Sequence, residues 1–109
     1  MHKIKRSKFT NTTEKQIEQK LVKAIKTVGG IALKLLCPGY DGMPDRIVLL
    51  PGGRIAFVEV KAPGCKPRPL QVSRHEMLRK LGFKVYVLDD ERQIGGIIDG
   101  INNSMWLVW

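Results

Sequence analysis

Two β-branched, apolar runs set a few residues apart limit this chain more than any other feature. Arg46–Leu50 and Ile55–Lys61 flank Pro51-Gly52-Gly53-Arg54, a pattern that predicts a β-hairpin. Pairing Leu50 with Ile55 sets Asp45 opposite Val60. A three-residue loop holding a left-handed glycine pairs Leu50 with Arg54 instead and sets Asp45 opposite Glu59. Both registers stay open, and both return Asp45 to the strand end that carries Glu59-Val60-Lys61.

Around this hairpin the periodicity predicts the remaining elements. Asn11-Thr12-Thr13 offers N-caps, with Gln16 placed for a capping box from Thr13, and a helix follows to about Val28, where Gly29-Gly30 stops it. Its apolar face is Ile17, Leu21, Ala24, Ile25 and Val28. Ile31–Leu36 reads as a short strand, and Cys37–Pro44 as a loop by its glycines and prolines. After a proline-rich connection, Pro69 suits the first turn of a helix over Leu70–Leu81. Lys84–Leu88 is a strand, and Ile94, Ile97, Ile98 and Ile101 fall on one face of a last helix weakened by Gly95 and Gly96. Met105–Trp109 is apolar enough for a final strand. The order α-β-β-β-α-β-α predicts one α/β domain over residues 11–109, a mixed central sheet flanked by helices, preceded by a basic, flexible arm at residues 1–10.

Composition narrows the function classes. The 109 residues suit one domain, and 19 Lys+Arg against 10 Asp+Glu leave a net charge of +9, which points to a polyanionic partner, nucleic acid first. No apolar stretch is long enough to span a bilayer, and the basic start lacks the apolar segment of a signal peptide, so no membrane partner and a cytoplasmic location are expected. Two isolated cysteines exclude a disulfide framework, and with two scattered histidines they offer no zinc ligand set.

The chemistry gathers at the hairpin's open end. Strand alternation puts Glu59 and Lys61 on one face with Phe57 behind them, and Ala56, Val58 and Val60 on the other. An acid and a base at a strand end emerging into solvent are ordinary; the return of Asp45 to the same edge is not. Two carboxylates a few ångströms apart repel, and a hard divalent cation with oxygen ligands resolves the repulsion. Mg²⁺ uses one or two protein carboxylates and keeps positions for water and phosphate oxygens, while a neighbouring lysine can hold a water or stabilise phosphate charge. Metal-assisted phosphodiester hydrolysis needs these parts. On a helical wheel Glu18 falls between Ile25 and Val22, at the margin of the apolar arc, so it is the expected inward-facing acid. Glu14 also points inward but is explained by the first turn, where acids suit the helix dipole.

Gly42-Met43-Pro44-Asp45-Arg46, Phe57-Val58-Glu59-Val60-Lys61-Ala62-Pro63 and Pro69-Leu70-Gln71, in this order, resemble the VRR-NUC domain. That domain is a branch of the PD-(D/E)xK nuclease superfamily with a restriction-endonuclease-like fold. The resemblance covers about residues 14–90, as a standalone form. It implies that Asp45 and Glu59 are metal-ligand carboxylates, that the Val60 carbonyl is a further ligand, and that Lys61 orients the attacking water or the scissile phosphate. It also matches Gln71 to the family's glutamine near metal and water, and Glu18 to the first-helix acid that completes the catalytic set. Mg²⁺, with Mn²⁺ able to substitute, is the implied cofactor. Branched or Holliday-junction-like DNA is the implied substrate, in replication, repair or recombination.

Other candidates are weaker. Lys34, Arg46, Lys66, Arg68 and Arg74 suit phosphate contacts but equally a solvated face, and Tyr40 suits base stacking or packing on its own loop. His75 lacks ligand spacing and reads as a surface or helix-packing residue. A non-catalytic nucleic-acid-binding module on the same fold would keep the basic surface yet need no acid cluster, and a basic scaffold protein would leave Glu18 unexplained. Both tryptophans lie in Met105–Trp109, an apolar tail suited either to a strand on the protein's own sheet or to a homodimer interface.

Overall fold

A computed structural model describes residues 12–103. The basic arm and the Met105–Trp109 strand expected above lie outside the described residues. The elements run α1 (Glu14–Thr27), β1 (Ile31–Lys34), β2 (Arg46–Leu50), β3 (Arg54–Val60), α2 (Pro69–Lys80), β4 (Lys84–Leu88), a 3₁₀ turn (Glu91–Gln93) and α3 (Ile94–Asn103). This is the predicted order. α1 begins with the expected capping box, Gln16 N donating to Thr13 Oγ1 and Thr13 N to Gln16 Oε1, so two N–H groups at the helix start are satisfied locally.

The four strands form one mixed sheet in the order β1-β2-β3-β4, with the first two pairings antiparallel and β3 parallel to β4. Leu50 pairs with Arg54, the shorter of the two loop registers, with Gly52 and Gly53 both at positive φ. Only residues without a Cβ take that conformation readily, so the two glycines decide the register.

Helices cover both faces. Ile17, Leu21 and Ile25 of α1 and Ile94, Ile97 and Ile101 of α3 pack on Val48, Ala56, Val58 and Val60. On the other face, Leu78 of α2 packs on Phe57 and Val85. The odd and even residues of β3 thus belong to different layers, as alternation requires. No helix among the described residues is long and apolar enough to cross a membrane.

The junction of α1 with β1 is tight. A Cβ on Gly30 would stand 2.5 Å from Leu49 O and 2.6 Å from Leu50 Cδ2, whereas one on Gly95 meets nothing within 4 Å. Gly30→Ala is therefore expected to cost about 1–3 kcal/mol of stability. Gly95→Ala should add about 0.5–1 kcal/mol through helix propensity. Urea unfolding of the two variants beside the wild type reads both signs.

Candidate active site

Asp45 is delivered by a loop that is fastened at both ends. Leu35 N donates to Asp45 O (2.9 Å), tying it to the end of β1. Upstream, Arg74 of α2 donates from Nε to Asp41 O (2.8 Å), and its guanidinium lies 3.8 Å from the Tyr40 ring centroid. Gly42, at φ +91°, sits where any Cβ would strike Leu70 of α2, so the loop can lie flat on that helix. Pro44 is fully buried beside Asp45. The Asp45 carboxylate then reaches across the hairpin, and Oδ2 accepts from Val60 N (2.8 Å).

Glu59, only 1% exposed, lies at the centre of the site. Its Oε2 accepts from Gln71 Nε2 (3.1 Å) and lies 3.7 Å from Lys61 Nζ; its Oε1 lies 3.3 Å from His75 Nε2. The α2 first turn explains the glutamine. Arg68 N donates to Gln71 Oε1 (2.8 Å), and this cap turns the amide NH₂ toward Glu59. Gln71 is therefore buried rather than exposed.

Of the two readings of His75 the structure takes helix packing, and it adds a contact with Glu59 that sequence reasoning missed. His75 is 2% exposed and faces Glu59. The available signal was its spacing: Gln71, His75 and Leu78 follow i, i+4, i+7, one face of α2, and all three are buried.

Burial dominates the electrostatics of the site. Burial, then the Asp45 charge and a hydrogen bond with its side chain, push Glu59 up to about 7; Lys61 opposes this and Glu14 adds to it. Burial, then the positive charges of Arg79 and Lys61, hold His75 below the usual imidazole value, against the opposing pull of Asp45. Burial and these cations favour the neutral ring, whose Nε2 donates to ionised Glu59 in the Nε2–H tautomer and accepts from protonated Glu59 in the Nδ1–H tautomer.

Glu18, expected to join these acids, does not. Arg46 Nε donates to Glu18 Oε2 (2.8 Å) and Arg46 Nη1 to Ala32 O (3.1 Å). Arg46 follows the alternation of Val48 and faces α1, while Glu59 faces α2, so the sheet stands between Glu18 and the cluster. Glu14, one turn earlier and exposed, is the helix acid whose charge acts on Glu59.

The remaining candidates are spread around this centre. Lys34 is exposed and pairs with Arg46 across the β1–β2 ladder. Lys66 and Arg68 are exposed on the connection into α2. Tyr40 and Arg74 are stacked on each other. Among the described residues no three His, Cys, Asp or Glu side chains converge as a metal group, so the carboxylate pair is the candidate centre.

A mixed four-stranded sheet that brings an aspartate and a Glu-x-Lys to one edge, with helices on both faces, defines a class of small α/β domain. A solved VRR_NUC domain has this fold, with a TM-score of 0.75, 36% identity, and coverage of 81% of this chain and 96% of that one. "Putative nuclease p44" of Acyrthosiphon pisum secondary endosymbiont phage 1 is 47% identical over 89 residues, 82% of this chain and 95% of that protein. No family model matches the chain. The chain belongs to the VRR-NUC family.

Proposed function

We propose that the protein is a divalent-metal-dependent DNA endonuclease that hydrolyses phosphodiester bonds in branched, Holliday-junction-like DNA. The observation that carries this reading is the convergence of Asp45 and Glu59 on one strand end, with Glu59 pushed up to about 7. Such a pair is under-neutralised, and oxygen donors of this kind fit Mg²⁺ or Mn²⁺. Asp45, Glu59 and the Val60 carbonyl would hold the cation. When bound, it would neutralise phosphate charge and lower the pKa of a water.

The chain's own groups do the rest. Val60 N–H fixes the Asp45 carboxylate, and Gln71 and His75 fix the two Glu59 oxygens, so both acids present themselves without a search of rotamers. Lys61, 16% exposed, keeps its ammonium beside Glu59 and open to a phosphate oxygen or an attacking water. Symmetric nicking of a four-way junction needs two such sites, so this reading includes a homodimer.

The test is incubation with supercoiled plasmid and with a four-way junction. Cleavage is expected with Mg²⁺ or Mn²⁺ and none in EDTA, while Ca²⁺ should support binding without cutting. Full activity in excess EDTA would overturn the metal mechanism. Equal cutting of linear duplex and junction would remove the structural preference.

A further inference from the structure

Away from the carboxylate pair, an open groove of about 460 Å³ runs between α1 and the β1–β2 edge. Its cations are Lys15, Lys23, Lys26, Lys34 and Arg46, and its one acid is Glu18. Among the described residues no carboxylate lies within ion-pair distance of the four lysines. Five like charges around one groove repel each other, and Glu18 offsets only one of them.

We propose that this groove binds the phosphate backbone of DNA flanking the cut, with Glu18 holding the place of a phosphate on Arg46 until DNA arrives. The inference rests on the nuclease reading for its choice of DNA. Two features favour a nucleic-acid backbone over a small anion. Lys15 to Lys26 covers twelve residues of α1, eleven steps or about 16 Å. Along a duplex axis that length holds four or five phosphates per strand, at about 3.4 Å each. The groove also joins cations of two strands to that helix, Lys34 being the ladder partner of Arg46, on the sheet face opposite Glu59.

Arg46 is built for an exchange of anions. Its guanidinium is half-buried and anchored by Nη1 on Ala32 O, which leaves the Nε edge on Glu18. A planar fork set in this way meets a phosphate as readily as a carboxylate. Removing the Glu18 charge should therefore favour DNA, whereas removing lysines should weaken the salt-sensitive part of binding.

Fluorescence anisotropy with a labelled duplex in EDTA, across a salt series, tests this without any cleavage. Lys15→Gln/Lys23→Gln/Lys26→Gln should reduce the slope of log affinity against log salt by about 2.7, three contacts at about 0.9 each. Glu18→Gln should bind more tightly than wild type. Lys80→Gln, exposed at the far end of α2, should leave the slope unchanged. An unchanged slope in the triple variant, an equal loss in Lys80→Gln, or weaker or equal binding by Glu18→Gln overturns the proposal. Because the readout is binding without metal, its failure is distinct from a failure to cut.

Discussion

Asp45→Asn is expected to lower Mg²⁺-dependent cleavage by at least about a hundred- to a thousandfold while leaving the fold intact. The substitution is chosen to separate charge from shape. Asp45 Oδ2 accepts from Val60 N, and an asparagine oxygen can accept the same bond, so the hairpin end keeps its lock. What is lost is one of two anionic ligands and the charge that makes the site attract a cation. Lys61→Ala should match it in size, since removing one preorganised electrostatic group at a developing charge costs about two to three orders of magnitude. The two should differ in metal binding: Asp45→Asn weakens it, read as a higher Mg²⁺ concentration for half-maximal cutting, and Lys61→Ala leaves that concentration nearer to wild type. Retention of cleavage in both variants would show that the Asp45–Glu59–Lys61 cluster is structural.

Much of this arrangement is legible in local pattern, because the local pattern is what builds it. The β-branched runs, the double glycine and the period-2 alternation lead directly to a hairpin with Glu59 and Val60 on opposite faces. The register stayed open since either loop length satisfies the pattern, and only the positive φ of Gly52 and Gly53 selects one. Errors arise where an answer depends on how layers are stacked. A helical wheel shows that Glu18 borders the apolar arc of α1, but not which side of the sheet that arc covers. Arg46 is on that side and takes the acid. His75 shows the converse: with one histidine between charged neighbours there is little local signal, and its burial follows from Gln71 and Leu78 on the same helix face. Tyr40 and Arg74 lie 34 positions apart, and only the fastening of the loop to α2 stacks them.

In EDTA, Glu59→Gln is expected to stabilise the protein at pH 8 by up to about 3 kcal/mol and to make little difference at pH 4.5. Glu59 is raised from 4.5 to about 7 in the folded chain. Below pH 4.5 both folded and unfolded states hold the proton, and the site's contribution to stability is fully present. Between 4.5 and about 7 the unfolded chain ionises first, so the folded state binds more protons and stability falls as pH rises. Above about 7 the buried carboxylate is charged beside Asp45, and the loss is complete. At about 1.36 kcal/mol per pH unit, the interval from 4.5 to about 7 sets the upper figure. His75 acts in the opposite direction, because an imidazole held below 6.5 destabilises the fold as pH drops through that value. The wild-type curve alone therefore mixes two slopes, and the difference between variant and wild type isolates Glu59. The glutamine should be accommodated: its oxygen can accept from Gln71 Nε2, and the other tautomer of neutral His75 can accept from its amide. Urea unfolding at pH 4.5, 6 and 8 reads the difference directly, and Mg²⁺ at pH 8 should stabilise the wild type much more than the variant. A variant less stable than wild type at pH 8 in EDTA would mean that Glu59 is already compensated by Lys61, and the case for a cation at this strand end would lose its electrostatic basis.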